Sequence, residues 1–184
     1  MTNTHPDVIT IRGAPGVGKS HTAKCLATHF PKGVRVEVDM LRAMVISVDW
    51  TNQAEHINML GLSSSMVHGF LKLGYRPVIV VDTFSGNKLK KFLSDLHVFD
   101  SGLDVRSFTI ITTPEVLRIR VEKRPTDQYK DIVICQKINS DVMKHFLPVE
   151  QLIDNTELTP EETAETIMRQ CLGTASNAAD AALA

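Results

Sequence analysis

Apolar positions along this chain alternate between two rhythms, a short β-branched run and then a longer stretch at helical spacing. Val8-Ile9-Thr10-Ile11-Arg12 predicts a strand, and Ser20 to Phe30 predicts a helix that Pro31-Lys32-Gly33 ends. Val34-Arg35-Val36-Glu37-Val38 alternates apolar with polar, as a strand exposed on one side does, and delivers Asp39 at its carboxyl end. Leu41 to Trp50 is apolar without either period. Thr51 to Gln53 is a start signal for a helix over Ala54 to Leu73, weakened in its middle by Gly61 and Ser63 to Ser65 and stopped at Gly74. After Pro77, the run Val78-Ile79-Val80-Val81-Asp82 has the composition of a parallel strand covered on both faces. A helix over Lys88 to His97, a strand over Val105 to Thr112, helices over Pro114 to Lys123 and Asp131 to Phe146, and a strand over Gln151 to Asp154 follow. Thr159-Pro160-Glu161-Glu162 is a capping-box start for a last helix, Glu161 to Cys171.

Strands alternating with helices predict an α/β fold, a five-stranded, mostly parallel sheet sandwiched between helices. Right-handed crossovers then gather the loops after the strands along one edge: Gly13 to Ser20, Asp39, Asp82, Thr112-Thr113 and Asn155-Thr156. At 184 residues the chain suffices for one domain, placed at residues 1–172, and the Ala-rich tail 173–184 is expected to fray. Hydrophobic content of 43% and charged content of 22% are those of a soluble globular protein, and no apolar run approaches a membrane span. The expected location is cytoplasmic, with Cys25, Cys135 and Cys171 as reduced structural thiols lacking metal-ligand spacing. A net charge of -1 supplies no global field for nucleic acid, so binding of that kind would need a local basic patch.

Gly13-Ala14-Pro15-Gly16-Val17-Gly18-Lys19-Ser20 fits G-x-x-x-x-G-K-[ST], the phosphate-binding loop, and lies between a predicted strand and a predicted helix as that motif requires. Its backbone N–H groups, with that of His21, cradle phosphates; Lys19 reaches the β/γ-phosphates and the Ser20 hydroxyl ligates Mg²⁺, so ATP and Mg²⁺ are the expected cofactors. Motors, GTPases, regulatory ATPases and small kinases share this loop, and the other loops must discriminate among them. Asp39-x-x-Arg42 places a carboxylate and a guanidinium within one helical turn beyond a strand end, suited to accepting a hydroxyl proton and holding the acceptor or the developing charge. The plainer reading is a capping Asp with a solvated partner. Asp82, ending the apolar strand, is a candidate for the Mg²⁺ shell, or else caps the turn Thr83-Phe84-Ser85-Gly86. Arg120 and Arg124 share a helical face from which two guanidiniums could close over a triphosphate, while Arg118 points elsewhere; the alternative is a solvated charged face with Glu115 and Glu122 as partners.

In that order, Gly13 to Ser20, Asp39-x-x-Arg42, Val78 to Asp82 with Thr83, Arg120-x-x-x-Arg124 and Ile153-Asp154-Asn155-Thr156 resemble the small P-loop kinases over residues 8 to 170. The branch to which they are most similar contains polynucleotide 5′-kinase, chloramphenicol phosphotransferase and the zeta-toxin sugar-nucleotide kinases. The resemblance implies a P-loop NTPase fold with a short helical lid and transfer of the ATP γ-phosphate to a hydroxyl. It also implies Asp39 as base, Arg42 as an acceptor or phosphate contact, Arg120 and Arg124 as lid arginines, and Asn155-Thr156 beside the adenine. Asp82-Thr83-Phe84 stands where the branch commonly has a more polar loop. Acceptor contacts are expected from Met44 to Leu62 and Thr83 to Lys91, where Trp50 is either a stacking platform or core, and His56 and His68 are expected to be structural or surface groups. A small-molecule acceptor leads. A polynucleotide 5′-hydroxyl is the alternative, with Lys88, Lys90 and Lys91 and the lid arginines as its phosphate track, and a nucleotide-driven regulatory ATPase is another; oligomeric state is left open.

Overall fold

The computed structural model describes residues 5–126 and 129–180, with side chains to 172. Its sheet has the order β2 (Val34–Glu37), β3 (Val78–Val81), β1 (Val8–Arg12), β4 (Val105–Ile111), β5 (Glu150–Asp154). All four pairings are parallel, so the sheet is wholly rather than mostly parallel. β1 is central, with Ile9 opposite Ile79 of β3 and Arg106 of β4. Period-2 alternation sorts its side chains to two faces. Ile9 and Ile11, with Ile79, Val81, Phe108 and Ile110, pack against α1 (Lys19–Thr28), α5 (Pro114–Glu122), α6 (Ile132–Lys144) and α7 (Pro160–Asp180). Val8, Val78 and Val80 pack against α2 (Val38–Ala43), α3 (Gln53–Lys72) and α4 (Lys88–Phe99). A β-branched run such as Val78–Val81 forms this strand because both its faces are covered.

Most boundaries fall within a residue or two of the sequence expectation, and two differ in substance, the end of β2 and the length of α7, while α3 forms over the expected span. The second strand stops at Glu37, and Asp39 lies in the first turn of α2, so the ambiguous 41–50 stretch is a short helix and the turns after it. α3 is continuous through Gly61 and the serines, whose hydroxyls are satisfied within the helix: Ser63 Oγ donates to the Leu60 carbonyl and Ser64 Oγ to that of Gly61, each at 2.7 Å. The last helix runs to Asp180; residues 181–184 of the tail lie outside those described. Its predicted capping box is present, with Thr159 N–H donating to Glu162 Oε2 at 2.8 Å and Glu162 N–H to Thr159 Oγ1 at 3.2 Å.

Candidate active site

The carboxyl ends of β1, β2 and β3 open onto a cleft of about 740 Å³. Among the expected site residues, Pro15, Gly16, Val17, Gly18, Lys19, Ser20, His21, Asp39, Asp82, Arg120, Arg124 and Asn155 line it. Gly13, Ala14, Arg42 and Thr156 do not. Gly13 lies at the base of the loop, where a Cβ would come within 2.5 Å of the Ile110 carbonyl oxygen. Ala14 is buried beneath it and accepts a hydrogen bond from Lys19 Nζ at 3.0 Å. Thr156 is a turn residue whose hydroxyl meets Asp154 Oδ1 at 2.5 Å and Thr113 N–H at 3.1 Å. Gly18 caps α1 at φ 103°, a left-handed conformation that turns the following amides toward the cleft.

The carboxylates differ sharply in environment. Asp82 is buried, its Oδ1 2.9 Å from His56 Nε2 and its Oδ2 accepting from the Phe84 N–H at 2.6 Å. Burial pushes its pKa up, but His56 and the Phe84 amide outweigh that and hold it below the usual carboxylate range. Phe84, at φ 47°, turns its amide onto Asp82 and packs its buried ring on Phe92. Asp39 keeps 66% of its side chain open to the cleft and accepts no hydrogen bond among the described residues; Arg42 Nη1 stands 4.0 Å away. The surrounding walls desolvate it and Asp82 repels it, so its pKa is raised despite Lys19, His56 and Arg42. Lys19 shifts the other way, lowered by burial against the pull of Asp39 and Asp82.

Two residues of the site were not legible as such. Glu37, the last residue of β2, lines the cleft and accepts a hydrogen bond from Ser20 Oγ at 2.5 Å, while Arg35 Nη1 holds its other oxygen at 3.1 Å. The signal available was the alternation in β2, which puts Arg35 and Glu37 on the α1 side of the sheet. His56, expected to be structural or superficial, is buried between Asp82 and Lys88, whose Nζ is 3.0 Å from His56 Nδ1. If Lys88 is an ammonium donor to Nδ1, then Nε2 carries the imidazole proton and donates it to Asp82.

The arginines also separate. Arg118 pairs with Glu115 and Glu122 on the surface, as its spacing predicts. Arg120 is anchored by Asn155 Oδ1 and the Asn155 carbonyl, each at 2.9 Å, and by the Val17 carbonyl at 3.3 Å, joining α5 to the loop. Asn155 Nδ2 donates to that same carbonyl at 2.8 Å. Arg124 lines the cleft and donates to the Tyr129 carbonyl at 2.8 Å. Beneath the loop, Arg12 and Glu150 form a wholly buried ion pair at 3.1 Å, with Thr109 Oγ1 also donating to Glu150.

The donor set suits Mg²⁺ and a nucleotide. The Ser20 hydroxyl and Glu37 carboxylate are hard oxygen ligands facing the loop, and no cluster of three ligating side chains exists among the described residues.

A parallel sheet with a glycine loop between the central β1 and α1, and the α5–α6 helical pair beside that loop, is the P-loop fold that the small kinases share. The chain belongs to the AAA domain family, whose model matches residues 8–148. Among solved structures it is similar to the tunicamycin resistance protein of Deinococcus radiodurans, at 23% identity and a TM-score of 0.68, covering 90% of this chain and 95% of that one. It is similar also to a gluconokinase from Sinorhizobium meliloti 1021, at 15% identity and a TM-score of 0.63, covering 94% and 98%. A third neighbour is a chain of the Pnkp1/Rnl/Hen1 RNA repair complex, at 20% identity and a TM-score of 0.61, covering 78% of this chain and 46% of that one. The resemblance to that branch of small P-loop kinases therefore stands. Curated protein sequences give no significant match. No described helix is long and apolar enough to cross a membrane.

Proposed function

We propose that the chain is a kinase that transfers the γ-phosphoryl group of ATP to a hydroxyl of a small-molecule acceptor. The observation that carries this reading is the contrast between Asp82, whose two oxygens are both engaged by the protein, and Asp39, which faces the cleft with its carboxylate unbonded. A base must have a vacant lone pair and a pKa nearer the working pH, and Asp39 has both. Lys19 leaves the Ala14 carbonyl for the phosphates, and the N–H groups of the loop hold them. Ser20 and Glu37 would hold Mg²⁺, which would offset charge on the phosphates, while Asp82 is held by His56 and the Phe84 amide. The acceptor oxygen bonds to the γ-phosphorus as the bond to the bridging oxygen breaks, its electron pair leaving on ADP. The hydroxyl proton passes to Asp39. Arg120 and Arg124 supply positive charge from the lid side.

The gluconokinase among the neighbours supports a small acceptor. For the polynucleotide alternative, Lys88 Nζ is held by Gln53, His56 and Ser85 and Lys91 is paired with Asp95, which leaves Lys90 and the lid arginines as its phosphate track. Incubating the protein with γ-labelled ATP and a panel of sugars, nucleosides, antibiotics and 5′-hydroxyl oligonucleotides tests the reading. A labelled small-molecule product that Lys19→Ala abolishes is expected. ATP hydrolysis indifferent to every acceptor would replace the kinase with a regulatory ATPase.

A further inference from the structure

Behind Asp82 lies a polar cluster drawn from three segments. Gln53 and His56 come from the first turn of α3, Ser85 from the loop after β3, and Lys88 from the first position of α4. None of these four lines the cleft, whereas Asp82 does. Lys88 Nζ donates to Gln53 Oε1 at 2.7 Å and to Ser85 Oγ at 3.2 Å and stands 3.0 Å from His56 Nδ1, so its three N–H bonds have three partners. His56 Nε2 is in turn 2.9 Å from Asp82 Oδ1, the two side chains being 8% and 1% exposed. A histidine that only filled the core would need no ammonium behind it, since a carbonyl or a water satisfies its outer nitrogen. Here a strongly hydrated cation is partly withdrawn from solvent to do so, and that burial lowers the Lys88 pKa against the pull of Asp82 and Asp39.

We propose that Lys88 and His56 are positioning residues for phosphoryl transfer, acting through Asp82. The inference rests on the kinase reading for the reaction that the clamp serves, not for the clamp itself. An ammonium has only protons to offer, so it meets Nδ1 as a lone pair and leaves the imidazole proton on Nε2, which donates to Asp82 Oδ1. The Phe84 amide holds Oδ2 at 2.6 Å. With a donor on each oxygen, the carboxylate cannot turn about its Cβ–Cγ bond without breaking both bonds. The balancing positive charge sits on Lys88, on the far side of the ring from Asp82. Asp39 is thus left free to take a proton, and Asp82 is held to keep its charge in place. Removing either partner lets that carboxylate turn, which costs the transition state a fixed charge while the loop keeps its hold on the phosphates.

Selective ¹⁵N labelling of the seven histidines of the full chain, with His56 assigned by its loss in His56→Gln, reads the clamp without turnover. Long-range ¹H–¹⁵N correlation is expected to show His56 protonated at Nε2 and bare at Nδ1, and Lys88→Met is expected to put a proton on Nδ1. The same variants are assayed for transfer from γ-labelled ATP to the acceptor that the parent uses. His56→Ala should lower kcat by about 10- to 100-fold with KM for ATP within about 3-fold, the loss typical when the partner that orients a functional group is removed. His56→Gln should recover most of kcat, because its amide oxygen accepts from Lys88 and its amide nitrogen donates to Asp82. Equal kcat in the Ala and Gln variants, or activity that follows only the folded fraction in a thermal melt, overturns the proposal in favour of a core histidine. So does an Nδ1 proton in the parent, or a His56 signal that Lys88→Met leaves unchanged. An intact Nε2–H signature in a parent that transfers to no acceptor refutes the kinase reading, and the role in transfer falls with it. Transfer that survives both His56→Ala and Lys88→Met at the parent's kcat refutes the positioning role alone.

Discussion

Gly16 occupies an unspecified position of the G-x-x-x-x-G-K-[ST] pattern, yet the packing of α5 on the loop leaves it no freedom. At φ 95°, an added Cβ would stand 2.6 Å from Val121 Cγ2 and 3.0 Å from Leu117 Cδ1, and both of those side chains are fully buried. Gly16→Ala therefore incurs two costs. The left-handed backbone costs about 1–2 kcal/mol for a residue with a Cβ. Overpacking against Val121 costs about 1–3 kcal/mol. A total near 3 kcal/mol lowers the melting midpoint of a chain this size by about 6–12 °C. Urea denaturation and calorimetry of the variant measure it. The double variant Gly16→Ala/Val121→Ala separates the two costs, because removing the valine methyls relieves the collision and leaves the backbone strain. A favourable coupling of about 1–2 kcal/mol is expected. ATP affinity should fall with stability, since a displaced α5 carries away Arg120, which bonds the Val17 carbonyl of the loop. A Gly16→Ala protein within about 0.5 kcal/mol of the parent, or a strictly additive double variant, would refute the packing argument.

Asp39→Asn should abolish transfer while nucleotide still binds, and it should raise the melting midpoint at neutral pH. A carboxylate whose folded pKa is raised disfavours the fold wherever it is ionised, and that advantage of Asn should vanish below the unfolded pKa of about 4. Asp82 has the opposite sign: its depressed pKa contributes stability above about pH 4 that is lost as pH falls through the folded value. Asp82→Asn should thus cost about 2–3 kcal/mol at pH 7 and progressively less in acid, read from urea titrations at several pH values. Glu37→Gln should raise the Mg²⁺ concentration needed for half-maximal transfer more than it raises KM for the acceptor, because it weakens the ligand set around Ser20. Glu150→Leu strands Arg12 in the core at a cost of about 3–5 kcal/mol, and Arg12→Met in the same chain should recover most of it in a denaturation series.

The fold was legible because its signals are local. A β-branched run such as Val78–Val81 has one stable use in a chain of alternating elements, and a capping box such as Thr159 to Glu162 marks its helix start by its own side chains. The boundary that moved is that of β2, which ends at Glu37; α3 held its expected span because the hydroxyls of Ser63 and Ser64 find acceptors one turn back.

The site was legible only where a motif fixes both residue type and spacing. Lys19, Ser20 and Asp39 fall on one sheet edge because a parallel topology with right-handed crossovers puts every strand's carboxyl end there. Glu37 and His56 carry no motif, and they enter the site through side-chain direction. Glu37 faces α1 because Val36 and Val38 must face the core beside α3, and β2 alternates. His56 faces inward because it lies one turn N-terminal to buried Leu60 on the apolar stripe of α3, the position nearest Asp82. Both are polar residues placed by apolar neighbours. The same logic exposes Trp50. Arg42, on the buried side of α2 with Val38 and Leu41, brings its guanidinium under the indole, so the ring's other face is left to the solvent side. An arginine that packs as core is thus placed, like Glu37 and His56, by the apolar residues beside it.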